Sequence, residues 1–246
     1  MTELLKTGLK YFYPGDCYET VWENYDFFDS DCFKMFVSRA LSMLILLGSI
    51  IVKVPQIMKI VAAGSAEGLS YLSIFSELGA VTFTCTYNLG KGFPFSAWGE
   101  SFFIALQNVI IISLMFNYKN QRILIAVFAP VYSILAWYLT SDLASMELLS
   151  TLQTAVIPLM MLSRFTQMYA IYSNGSTGQL SLITSYLNWS GAAARIFTTM
   201  QETQDPITLL IFSISFTLNT IIMIQFVVYW NAGTVKKGKG KEKKEQ

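Results

Sequence analysis

The chain contains no histidine, only three cysteines and few charges: 13% of its 246 residues are charged and 53% are apolar. Each shortage excludes something. Without histidine there is no Ser-His-Asp arrangement and no histidine-bearing zinc site. The sequence also shows no phosphate-binding glycine loop, no cluster of metal ligands and no nucleophile with a base beside it. Catalysis is therefore not expected, and neither is a cofactor, a metal ion or a nucleic-acid partner. Three cysteines are too few for a disulfide scaffold. What remains is an apolar chain of positive mean hydropathy, the composition of a membrane protein rather than of a soluble domain.

A membrane span needs roughly 20 mainly apolar residues. Seven stretches qualify as candidates: Val37–Lys59, Ser70–Leu89, Ala97–Phe116, Arg122–Leu139, Leu148–Tyr169, Ser181–Met200 and Ile207–Trp230. Little is left for a soluble domain. An internal repeat organises them. KVPQIMKIVAAGSAEGLS (Lys53–Ser70) returns 111 residues later as RFTQMYAIYSNGSTGQLS (Arg164–Ser181). The ungapped pair shares Gln56/Gln167, Ile60/Ile171, Gly64/Gly175, Ser65/Ser176, Leu69/Leu180 and Ser70/Ser181, and a cation leads each copy. The same offset places Asn108 on Asn219. Repeats across hydrophobic segments mark transporter-like folds. The expected architecture is all-α and polytopic, with two parallel three-helix repeats, residues 37–116 and 148–230. A linker helix within 117–147 joins them, residues 1–36 precede them, and a basic tail, 231–246, follows.

Pro55-Gln56 near a helix end, followed by the Gly-Ser-x-x-Gly-Leu-Ser turn, resembles the motif of PQ-loop membrane proteins. Within that family, FPFSAWGE (Phe93–Glu100), SNGSTGQLS (Ser173–Ser181) and ARIFTTMQETQDP (Ala194–Pro206) resemble the members that serve dolichol-linked sugars in the endoplasmic reticulum. The likeness extends from about residue 17 to residue 232. It departs at Thr166, which replaces the proline in the second copy.

Basic residues favour the cytosolic side of short loops. The segment after Trp230 has six lysines against two glutamates, and the loop before Arg122 adds Lys119. Residues 1–37 carry seven acids against three lysines. The N-terminus is thus expected in the lumen and the tail in the cytosol, with both Gly/Ser turns facing the cytosol. No basic-apolar-small leader opens the chain, so the first span is expected to direct insertion. Cys17 and Cys32 fall in the luminal segment, where they could form a bridge or stay as two thiols. Asp29-Ser30-Asp31 has the form of a sugar-transferase metal motif, but a charged loop beside the membrane is the expected reading. Lys243 and Lys244, fourth and third from the end, have the spacing of a dilysine retrieval signal.

Charges within spans are costly unless paired or hydrated, so each is a candidate for function. Lys53 and Glu77 lie at similar depth on adjacent helices and can pair. Their repeat counterparts are Arg164 and Asn188, which leaves Arg164 without a matched acid and suited to an anionic head group. Pro55 should kink its helix, with the Gln56 amide meeting the freed carbonyl and Gln167 standing at the repeated position. Asn88, Asn108, Asn188 and Asn219 are amides able to bond sugar hydroxyls or neighbouring helices. Arg195, Glu202 and Asp205 form an expected luminal ion cluster.

The resemblance implies an endoplasmic reticulum protein needed for dolichyl-phosphate-mannose and dolichyl-phosphate-glucose to act as luminal donors in N-glycan precursor and GPI-anchor assembly. Its partners would be those sugar lipids, bilayer lipid and luminal dolichol-dependent glycosyltransferases. The residues alone equally admit a transporter of a small water-soluble sugar or amino acid.

Overall fold

A computed structural model gives the positions of residues 9–26, 29–66, 69–175 and 182–229. Lys243, Lys244 and the rest of the tail lie outside the described residues, as do parts of both Gly/Ser turns. Regular structure among the described residues is entirely helical. A helical turn at residues 9–12 precedes α1 (Cys17–Trp22), α2 (Ser30–Ile51), α3 (Val54–Ala63) and α4 (Tyr71–Gly90). Then come α5 (Phe95–Tyr118), α6 (Arg122–Thr140), α7 (Met146–Asn174), α8 (Leu182–Glu202) and α9 (Pro206–Val228).

Five stretches are long and apolar enough to cross a membrane: Ser30–Ala63, which covers α2 and α3, then α5, α6, Met146–Ser173 of α7, and α9. The seven expected candidates thus become five on this measure. α4 and α8 have the length but are more polar. α4 buries Thr82, Thr86 and Asn88, and α8 buries Ser185, Arg195 and Thr198. The α4 threonines are satisfied within their own helix. Thr82 Oγ1 donates to the Leu78 carbonyl at 2.7 Å and Thr86 Oγ1 to the Thr82 carbonyl at 3.0 Å. Such back-bonding lets hydroxyls sit in apolar surroundings without an unmet donor.

The chain forms two compact units, residues 1–156 with 198–204, and residues 157–197 with 205–246. In the first, α5 packs against α2, α3, α4 and α6. Ile60, Ile74, Leu78, Ile111, Ile112 and Met115 lie at its core. Gly99 permits close approach of α2 and α5, since a Cβ there would fall 2.7 Å from Leu46 Cδ1. In the second unit, Met168 and Ile171 of α7 pack with Leu218, Ile222 and Phe226 of α9. Trp189 of α8 stacks on Phe216 at 5.5 Å and donates to Thr220 Oγ1 at 2.9 Å.

The repeat is visible in the backbone. Gly64 ends α3 with φ of +59° and Gly175 follows α7 with φ of +58°. Both occupy the left-handed region that favours glycine at a helix C-terminus.

The first membrane-crossing helix begins at Ser30 rather than Val37, because Asp29 caps it. Asp29 Oδ1 accepts from the backbone N–H groups of Asp31 (3.2 Å) and Cys32 (2.9 Å). Asp29-Ser30-Asp31 is therefore a helix start, and Asp31 pairs with Lys34 at 3.0 Å. Ahead of it, the Cys17–Cys32 disulfide ties α1 to α2. Tyr13 stacks on Phe36 at 5.3 Å, and the Arg39 guanidinium lies 5.3 Å from the Tyr11 ring centre. Burial pushes the Tyr13 phenol above its ordinary pKa. The aromatic segment thus packs back on the first turns of α2.

With Cys85 the remaining free thiol, denatured but unreduced protein should take up one polyethylene-glycol maleimide and reduced protein three. Three adducts without reductant would exclude the bridge.

Candidate functional site

A continuous helix would bond the Lys53 N–H to the Ser49 carbonyl. Here that bond is open, and the Gln107 side chain of α5 fills the gap. The Lys53 N–H donates to Gln107 Oε1 at 2.9 Å, and Gln107 Nε2 donates to the Ser49 carbonyl at 2.7 Å. One amide thus replaces the missing rung by bonding both of its ends. The break falls where Pro55 requires it, since in a continuous helix the proline ring would meet the Ile51 carbonyl. Once the break is made, Pro55 lies in the first turn of α3, where a missing N–H is tolerated. The break falls at the expected kink, and Gln107 meets the Ser49 carbonyl and the Lys53 N–H, groups other than the Ile51 carbonyl expected to bond Gln56.

The second copy cannot repeat this arrangement, because the offset places Leu218 opposite Gln107. α7 runs unbroken from Met146 to Asn174 with Pro158 inside it. Thr166, the counterpart of Pro55, back-bonds its hydroxyl to the Leu162 carbonyl at 2.8 Å.

Beside the open rung, Lys53 Nζ bonds Glu77 Oε2 at 2.7 Å, joining the start of α3 to α4. Its counterpart Arg164 is half-buried and donates from Nη1 to Gln167 Oε1 at 3.1 Å, so its polar neighbour is an amide of its own helix. Asn188 is exposed and Asn88 is buried. The repeated amides differ. Asn219 Nδ2 donates to the Ser215 carbonyl at 2.9 Å. Asn108 is 0% exposed, and neither its Oδ1 nor its Nδ2 has a partner among the described residues. A buried amide with both ends unmet is expensive and unusual.

Glu202 is a second polar centre, within the first unit. Its Oε1 accepts from Ser38 and Ser42 of α2, both at 2.8 Å, and its Oε2 accepts from Ser96 of α5 at 2.7 Å. Each expected member of the luminal cluster is engaged in or beside this centre. Glu202 serves three hydroxyls, whereas Asp205 caps α9 by accepting from the Thr208 N–H (2.9 Å) and hydroxyl (2.8 Å). Arg195 is buried in α8. The serines were absent from the candidates read from sequence. Their signal is the spacing Ser38, Ser42, Leu46, Ser49, which puts small polar residues on one buried face of α2.

These features describe a helical membrane protein with a duplicated polar hairpin. The PQ loop repeat profile matches residues 37–97 and 148–208, segments offset by the same 111 residues as the internal repeat. Over 184 residues the chain is 32% identical to human "Solute carrier family 66 member 3", covering 72% of this chain and 86% of that protein. The chain belongs to the PQ-loop repeat family. Its fold is similar to that of a eukaryotic SWEET transporter, with a TM-score of 0.64 and 13% identity over 82% of this chain and 98% of the other. At that identity the likeness is one of fold.

Gln107→Leu should lower stability by about 1–3 kcal/mol for each backbone group left unmet, read by thermal unfolding in detergent; unchanged stability would remove Gln107 from the junction. Lys53→Glu and Glu77→Lys should each destabilise, and the double swap should recover part of the loss. An additive double mutant would show that the two side chains are not coupled.

Proposed function

We propose that this PQ-loop protein lets dolichyl-phosphate-mannose and dolichyl-phosphate-glucose serve as luminal donors for N-glycan precursors and GPI anchors. In this reading it crosses the endoplasmic reticulum membrane seven times, with α2 and α3 as one span and α4 to α9 as the other six. Two parallel trios are joined by α6, the N-terminus is luminal and the tail is cytosolic. The protein is not an enzyme; it moves or presents the lipid-linked sugar, handing it to luminal dolichol-dependent glycosyltransferases.

The observation that carries the proposal is Asn108, fully buried with one donor and one acceptor end unmet. A sugar hydroxyl both donates and accepts, so it can satisfy such an amide. Arg164 and Lys53 are cations suited to the phosphate, Arg164 through its bidentate guanidinium. The strings Phe93–Glu100, Ser173–Ser181 and Ala194–Pro206 support the choice of sugar lipid, because they resemble the mannose-P-dolichol utilization defect 1 protein.

A second reading, transport of a water-soluble sugar or amino acid, is favoured by the likeness in fold to a SWEET transporter and by the solute-carrier relative. Asn108 would serve a free sugar equally well.

Deleting the gene separates the two. Under the first reading, lipid-linked oligosaccharides stall where luminal mannose donors are needed while dolichyl-phosphate-mannose continues to be made. Full-length precursors in the deleted cells would leave the solute reading. Re-expressed Asn108→Leu should be more stable than the parent by about 1–3 kcal/mol, since it removes an unmet amide, yet fail to rescue. Arg164→Ala should rescue less well than Lys59→Ala, a change at an exposed lysine. Full rescue by Asn108→Leu would remove the amide from the site.

A further inference from the structure

Between α4 and α6 lies a groove of about 230 Å³, walled by Phe75, Gly79, Phe83, Phe128, Val131 and Leu135. Gly79 forms a notch between two phenylalanines, and a Cβ there would meet nothing closer than Phe83 at 3.9 Å. The groove's hydroxyls are already bonded. Thr82 Oγ1 donates to the Leu78 carbonyl, and the Tyr132 hydroxyl lies 3.0 Å from Thr82 Oγ1 as its natural donor. The wall therefore makes no polar demand on an occupant.

The groove opens on an exposed side of α6, where Val131 is 59% and Ile134 64% exposed. α6 is one of the five membrane-crossing stretches, so hydrocarbon is the medium against that side. The two helices run in the same direction. Tyr71 at the start of α4 donates to Gln121 Oε1 just before α6 at 3.3 Å, and Thr82 meets Tyr132 at a matching depth. Positive charge gathers at this shared end. Lys119 lies 4.4 Å over the Tyr71 ring, Arg122 opens α6, and residues 117–126 contain no acid. At 1.5 Å per residue, Phe75 and Phe128 lie roughly 6–9 Å from this end and Leu135 about 20 Å. A lipid placed with its phosphate beside the cations would thus bring its chain to the groove within the first turns of each helix.

We propose that the groove holds one hydrocarbon chain of an anionic, phosphate-headed membrane lipid, with Lys119 and Arg122 on the phosphate. The apolar wall selects a chain, and the cations of the acid-free stretch 117–126 select the sign of the head group. The assignment does not depend on which sugar or solute the protein serves.

The test uses the full-length protein in nanodiscs doped with phosphatidic acid or phosphatidylcholine carrying the same diazirine-labelled acyl chain, with crosslinks mapped by mass spectrometry. Labelling should fall on residues 75–83 and 128–135, at least threefold more from phosphatidic acid. Gly79→Leu and Val131→Trp should each cut it at least fivefold. Lys119→Gln with Arg122→Gln should abolish the preference while leaving phosphatidylcholine labelling unchanged. Val131 is exposed, so Val131→Trp decides the matter if Gly79→Leu unfolds. Equal labelling by the two lipids, labelling elsewhere, or crosslinks joining two copies of the chain at these residues would overturn the proposal.

Discussion

An amide spliced into a broken helix is the constraint on which the first half of the protein depends. Pro55 prevents α2 from continuing into α3, and within an apolar unit the loose Lys53 N–H and Ser49 carbonyl need partners. Gln107 supplies both from α5. The junction is thereby held to the helix that also packs α4 and α6. Lys53 begins α3, and from there its ammonium group reaches Glu77. A proline, a glutamine and an ion pair distant in sequence thus form one joint. The second copy, with Thr166 and Leu218 at the matching places, keeps a continuous helix instead. Among the described residues, the first copy of the duplication is jointed and the second is not.

Many hydroxyls elsewhere follow the same requirement of satisfaction, although single atoms of Trp22, Arg39, Gln153 and Gln225 have no partner among the described residues. Threonine and serine hydroxyls bond back to their own helices, and three buried serines converge on Glu202. Against this pattern the unmet amide of Asn108 stands out. An amide with both ends unmet gains nothing in stability from its burial.

Much of this was legible beforehand. The 111-residue repeat could be read because identity at Gly64/Gly175 reflects a backbone conformation that few other residues adopt. Lys53 and Glu77 could be matched because two antiparallel helices joined by a short turn bring equal depths together. The possible Cys17–Cys32 bridge is present. The start of α2 at Ser30 was missed because apolarity locates the middle of a span, whereas its end is set by the Asp29 cap. Five of the seven expected spans meet a length-and-apolarity measure, and the other two, α4 and α8, are helices of sufficient length that are less apolar. Glu202 was identified as a site residue, but the three serines that donate to it were not, because opposite charge is visible in a sequence and three distant hydroxyls are not.

By itself, then, the order of residues determined what is local or periodic: an all-helical membrane chain, its glycine-ended helices and the place of its break in the first copy, which depend on residues within a few turns of one another, and its duplication, read from the return of one stretch 111 residues later. Only the tertiary structure decided which distant side chain meets each buried polar group. Gln107 reaches the open rung across 54 positions and Ser38 reaches Glu202 across 164. Hydrogen bonds at such separations depend on the packing of helices, which side-chain volumes across the whole unit settle together.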